Sequence, residues 1–108
     1  MSPERKSRDG AAAQLACARA FEAAQNLPAA LDAYQLALSF DPDSLVIARH
    51  LADLAFRLGQ WDMAEKLYVH LITHGEQDIA TLCAFAATLR EQGRFDEAIE
   101  LLLSLIHI

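Results

Sequence analysis

The sequence predicts an all-α fold of six helices paired into three hairpins, and three observations predict it. First, GQWDMAEKLY at 59–68 returns as GRFDEAIELL at 93–102, with Gly59 on Gly93, Trp61 on Phe95, Asp62 on Asp96, Ala64 on Ala98 and Leu67 on Leu101. The interval is 34 residues, and one step further back it pairs Trp61 with Leu27, Ala64 with Ala30 and Tyr68 with Tyr34. Second, 54% of the chain is apolar and alanine alone makes up about a fifth, with only 4 Gly and 3 Pro. That balance suits closely packed helices. Third, each period holds two apolar stretches at helical spacing with a turn between them. In the middle period these are Val46, His50, Leu51, Leu54, Ala55 and Leu58, then Trp61, Ala64, Leu67, Tyr68 and Leu71.

The elements follow in order. Residues 1–10 are expected as a disordered, charged N-terminal segment before a repeat domain at 11–108, with units at 11–44, 45–78 and 79–108. Between the helices of a hairpin, Gly59 and Gly93 end the first helix where a positive φ is readily accepted, and Asp62 and Asp96 put a carboxylate in the first turn of the second. The first unit has Gln25–Asn26 there, with Asn26 expected to tolerate the left-handed conformation and Pro28 acceptable early in a helix, so its turn is expected to be the least regular. Between units, Asp41–Pro42–Asp43–Ser44 and Gly75–Glu76–Gln77–Asp78 each end in a good N-cap, Ser44 or Asp78. Ala18, Ala52 and Ala86 recur in first helices and Ala30, Ala64 and Ala98 in second helices, where backbones cross too closely for larger side chains.

This pattern resembles the tetratricopeptide repeat family, whose 34-residue helix–turn–helix unit carries a small residue in its first helix, Gly at the turn, an aromatic just after it, and then Ala, an aromatic and Pro. Ala18, Ala52, Ala86, Gly59, Gly93, Trp61, Phe95, Ala30, Ala64, Ala98, Tyr34, Tyr68 and Pro42 fit those places. The match covers residues 11–102; the family's first-helix Trp is replaced by Gln14, Ala48 and Leu82. The resemblance implies a right-handed α-solenoid whose first helices line a concave groove. It also implies a non-enzymatic adaptor, scaffold or chaperone that binds a protein or extended peptide there.

Carried onto this sequence, the groove residues are Leu15, Arg19 and Glu22; Val46, Arg49, His50, Asp53, Phe56 and Arg57; and Cys83, Ala87 and Arg90, flanked by Ala12, Ala16, Ala23, Ala80, Ala84 and Glu91. Four of the seven arginines fall in this set. In an acidic chain this implies a surface for a peptide with carboxylates and apolar anchors, because Arg offers forked bonds to carboxylates and Phe56 an apolar contact. The alternative is that these arginines are solvated and partly paired with Asp53, Glu22 or Glu91. Repeat domains that clamp the C-terminal carboxylates of heat-shock chaperones place Lys, Asn and Arg where this chain has Leu15, Arg19, His50, Ala80 and Ala84, so that function is not expected. Three-repeat chaperones of type III secretion translocators are similar in size and acidity, but their flanking segments are not visible here.

A net charge of −6 and a pI near 5.0 argue against a general nucleic-acid binder. The opening MSPERKSRDG lacks the apolar core of a secretory signal, and no run approaches the roughly 18 apolar residues of a membrane span. A soluble, cytoplasmic protein is expected. Cys17 and Cys83 have no paired-motif spacing and are expected as buried or partly buried thiols, Cys17 nearer the packed side of its helix and Cys83 near the groove.

His70 and His74 are four apart on a helix, the only foothold for a metal. Lacking further ligands, they are expected to meet the free carbonyls of the helix end. Trp61, Tyr34 and Tyr68 are expected in the core. No phosphate loop, HExxH, dinucleotide fingerprint or nucleophile constellation occurs, so neither catalysis nor a cofactor is expected.

The third unit stops short at LLLSLIHI, which predicts an incomplete, uncapped last repeat with Leu102, Leu105, Ile106 and Ile108 as a sticky edge for self-association or a further segment. LSLIHI, residues 103–108, is also the translation of one frame of a transposon-end adapter, CTGTCTCTTATACACATC. The expectation is therefore a reading frame that runs into adapter sequence, and a longer native protein.

Overall fold

The computed structural model describes residues 3–75 and 78–106. The described residues form six α-helices: α1 (Pro3–Ala23), α2 (Leu27–Phe40), α3 (Leu45–Arg57), α4 (Trp61–Thr73), α5 (Ile79–Glu91) and α6 (Phe95–Ile106). No strand occurs among the described residues. The chain divides into two compact units, Met1–Leu54 and Ala55–Ile108, with the division inside α3.

Every hairpin turn is made by the same backbone bonds. In the first, the Gln25 N–H donates to the Glu22 carbonyl at 3.0 Å and the Asn26 N–H to the Phe21 carbonyl at 2.9 Å. One period on, Gly59 donates to Phe56 at 3.1 Å and Gln60 to Ala55 at 2.8 Å; a second period on, Gly93 donates to Arg90 and Arg94 to Leu89, both at 2.9 Å. This pair of bonds satisfies the carbonyls left over at a helix end, and it requires a left-handed residue after the last turn. Gly59 and Gly93 supply it with φ of 75° and 78°.

In the first turn the left-handed residue is Gln25, at φ 63°, and not Asn26, at φ −91°. The expectation of a less regular first turn is thereby corrected: Asn26 and Gln60, heading α2 and α4, have nearly the same torsions, −91°/73° and −85°/72°. The hydrogen bonds hold Gln25 in a conformation that a side chain disfavours.

The starts of the helices are equally local. The Ser44 Oγ accepts the Ile47 N–H at 3.3 Å, as expected of a cap. Asp78 stands extended before α5, with φ −74° and ψ 158°, and its carboxylate accepts the Thr81 hydroxyl in place of a cap bond. Asp62 lies in the first turn of α4, and Asp96 and Glu97 in that of α6, where the helix dipole favours negative charge.

Within the segment 1–10 expected as disordered, residues 3–10 are helical. Helix α1 begins at Pro3, a residue well tolerated at a helix start. A Cβ placed on Gly10 would stand 3.0 Å from the ring of Phe40, so the bare glycine is what lets Phe40 of α2 lie against α1 there.

In the first unit Ala18, Ala30, Tyr34, Ala37, Ala48 and Ala52 are at most 1% exposed, and Ile47 joins Ala11 and Ala37 in a cluster lined by Leu15 and Leu38. In the second, Ala64, Tyr68 and Leu71 on α4 are equally buried, while Ala86, Leu89 and Ala98 join α5 to α6 beside Phe85 and Leu101. The Thr88 hydroxyl satisfies itself on the Ala84 carbonyl at 2.8 Å. Arg94, at the α5–α6 turn, bonds both Glu65 of α4 and Glu97 of α6, and Gln92 donates to Glu65 at 3.4 Å.

Trp61 and Phe95 occupy matching places at the heads of α4 and α6, but differently covered ones. Phe56 meets Trp61 edge-on at 5.2 Å, whereas one period later Arg90 stands in the place of Phe56 and Phe95 is 58% exposed.

Two outcomes follow. Gln25→Gly relieves the left-handed strain and is expected to raise stability by about 1 kcal/mol, read as an increase in Tm by circular dichroism. Ala64→Leu is expected to cost about 1–3 kcal/mol by overpacking a fully buried position, read in urea denaturation.

Candidate functional site

Some of the residues expected to meet a partner line two cavities, one in each unit. In the first unit, Arg19, Glu22 and His50 surround an open cleft of about 380 Å³, together with Ala23 and Tyr34. Helix α1 supplies the charged pair one turn apart, α2 the phenol and α3 the imidazole. The Tyr34 hydroxyl donates to the Glu22 carboxylate at 2.8 Å, and the ring of Tyr34 stacks on His50 at 5.7 Å with only 9° between their planes. Tyr34 is 1% exposed, so burial first, and then its bond to Glu22 and that negative charge, push the phenol up to about 12; the Arg19 charge opposes the shift.

Sequence reasoning assigned Tyr34 to the core alone. It is both core and cleft wall, a role foreshadowed by its hydroxyl, since a buried phenol needs a hydrogen-bond partner.

In the second unit, Cys83, Ala87 and Arg90 line a smaller apolar recess of about 220 Å³ with Phe95, Ile99 and Leu102. Arg90 pairs with Glu91 at 3.6 Å, both side chains well exposed, the weak surface pairing weighed above. The α6 residues of this recess, apart from Leu102, were not anticipated as site residues; their period-equivalents Leu27, Leu31, Trp61 and Glu65 are half-buried.

The other expected residues are placed differently. Leu15 packs on the Ala11–Ala37–Ile47 cluster. Phe56 is committed to Trp61. Val46 is 60% exposed. Arg49 is half-buried, Asp53 and Arg57 are exposed, and all three make interactions of their own.

Cys17 and Cys83 are both exposed free thiols, which corrects their expected burial. Cys17 occupies the place of buried Leu51 one period later, but on α1 that face is open; Cys83 follows buried Leu82 and turns towards the recess. The histidine pair behaves as a helix end: the His74 ring nitrogen Nδ1 lies 2.8 Å from the His70 carbonyl, and the rings lie 4.2 Å apart. No group of three or more potential metal ligands forms among the described residues. Of the sticky edge, Leu102 is 41% exposed; Leu103, not counted in it, is 49% exposed. The side chains of Leu105 and Ile106, and all of Ile108, lie outside the described part.

The tyrosine gives a pH test. Its folded pKa is raised above the ordinary 10.0, so the folded state holds the proton more tightly and stability falls as pH rises from about 10 through about 12. Urea titrations across that range are expected to show this loss in the parent protein and a smaller loss in Tyr34→Phe, Tyr68 being common to both.

No protein-family model matches the chain. Protein FlbA of Caulobacter vibrioides is 36% identical over 88 residues, which are 82% of this chain and 14% of FlbA. Two solved structures are similar at 20% identity and a TM-score of 0.75 each. MamA MSR-1 C2 matches 82% of this chain and 51% of its own, and a chain of the Naa15/Naa10 complex bound to HypK-THB matches 87% of this chain and 14% of its own. The chain thus spans about half of one of these proteins and a seventh of the other two. No described helix is long and apolar enough to cross a membrane. With six helices in hairpins at a constant period and this likeness to known structures, the chain has a tetratricopeptide-repeat-like helical fold.

Proposed function

We propose that this chain is a non-enzymatic module that binds a protein or extended peptide, as an adaptor, scaffold or chaperone, with the cleft of its first unit as the contact surface. The observation that carries the reading is convergence: Arg19, Glu22 and His50, chosen from the sequence, stand around one opening floored by Tyr34. Arg19 offers a forked donor for a ligand carboxylate, and the half-buried His50 ring, held by stacking on buried Tyr34, offers a planar contact for an apolar or planar side chain. Glu22 accepts the hydrogen bond of the Tyr34 hydroxyl, which fixes the orientation of its carboxylate at the cleft. A similar fold in the Naa15/Naa10 assembly bound to HypK-THB supports protein partners. The proposed setting is the reducing cytoplasm, in keeping with two free thiols.

A second reading, an assembly element that associates through its last hairpin, is favoured by Phe95, Ile99, Leu102 and Leu103, all 41–58% exposed on α6.

Fluorescence anisotropy with extended peptides carrying Asp or Glu beside Leu or Phe tests the first reading. Binding is expected, weakened about tenfold or more in Arg19→Ala/His50→Ala. Unchanged affinity in that variant would move binding away from the cleft.

A further inference from the structure

In the cleft of the first unit the two charges of α1 are unequally placed. Arg19 is exposed, whereas Glu22, one turn later on the same helix, is half-buried. At this spacing an acid and a base are neighbours on the helix surface and can pair. Here they do not: the Glu22 carboxylate accepts the Tyr34 hydroxyl at 2.8 Å and makes a further interaction of its own, and Arg19 forms no ion pair among the described residues.

What holds Glu22 is itself held. Tyr34 is buried on α2, and the His50 imidazole of α3 stacks on its ring, so the hydroxyl is fixed in place. The charge of Arg19 is felt at that hydroxyl, where it opposes the rise in the phenol's pKa, so the guanidinium lies close enough to compete for the same carboxylate.

The packing pattern does not call for this bond. One period later Tyr68 is as buried as Tyr34, yet Phe56 stands at the place of Glu22 and Asp53 at that of Arg19. A tyrosine therefore fills this core position without a glutamate on the first helix of its hairpin, and the Tyr34–Glu22 bond answers to something other than the fold.

Resting on the cleft reading above, we propose that Tyr34 is a positioning residue: it holds Glu22 away from Arg19, so that the exposed guanidinium is presented to a carboxylate of the peptide and acidic ligands are chosen over basic ones. Without the hydroxyl, Glu22 turns to Arg19. The acid then occupies the forked donor that the ligand needs, and its negative charge repels the ligand's own.

Fluorescence anisotropy with an extended peptide carrying Glu beside Phe, and with its counterpart carrying Lys in place of that Glu, reads both effects. Tyr34→Phe is expected to weaken the acidic peptide about two- to threefold and to strengthen the basic one, and Tyr34→Phe/Glu22→Gln to return the acidic peptide to at least the parent affinity. Tyr68→Phe, which removes the equivalent hydroxyl from the second unit, is expected to change neither. Unchanged binding in Tyr34→Phe would overturn the inference. So would equal weakening in Tyr34→Phe and the double variant, since a ring that merely supports the cleft wall cannot be rescued through Glu22; the cleft reading itself would stand where Arg19→Ala/His50→Ala still loses binding. Full affinity in Arg19→Ala/His50→Ala would remove the cleft as the binding surface, and this role of Tyr34 with it.

Discussion

Each hairpin hangs on one backbone torsion. Residues 25, 59 and 93 take positive φ, and this allows two N–H groups to turn back onto the carbonyls of the helix just ended. The chain then reverses at once, bringing Ala30, Ala64 and Ala98 into the positions where second helices cross their neighbours. Glycine makes the torsion easy at two sites. At the third, Gln25 adopts it against its own preference, which shows that the turn bonds and the packing they permit outweigh a local cost of about 1–2 kcal/mol.

Once the turns are identical, the units differ mainly in what covers them. Tyr34 is stacked on by His50, and its hydroxyl is spent on Glu22; Leu102, in the same register, has neither. Trp61 has Phe56 at its edge, while Phe95 has Arg90 and is left in solvent. Arg94 bridging Glu65 and Glu97 ties α4 to the last turn with charge where the first unit uses apolar contact. Chemistry on this scaffold thus arises from substitutions at equivalent places, with the backbone plan unchanged.

Much of the plan was readable from the chain. Period, alanine crossings, glycine turns and the Ser44 cap are local or strictly spaced signals, and they determine all six helices. What escaped the reading depends on contacts distant in sequence. The packing of α1 at Gly10 depends on Phe40 arriving from α2. The exposure of Cys17 depends on which face of α1 is covered, and the burial of Leu15 on Ile47 arriving from α3. Of the cleft, Arg19, Glu22 and His50 were legible through the family resemblance; Tyr34 satisfies the packing pattern and so read as core, and only the need of its buried hydroxyl for a partner pointed to the cleft.

The turn bonds span no more than five residues, and the helices they join are neighbours in sequence. Structure of such short range closes small loops, the condition under which chains find their native arrangement quickly. Nucleation is then open to any of the three reversals, and growth proceeds from whichever forms first. A strained residue such as Gln25 would handicap its own starting point while leaving two other routes intact, so the chain tolerates a poor turn kinetically as well as energetically.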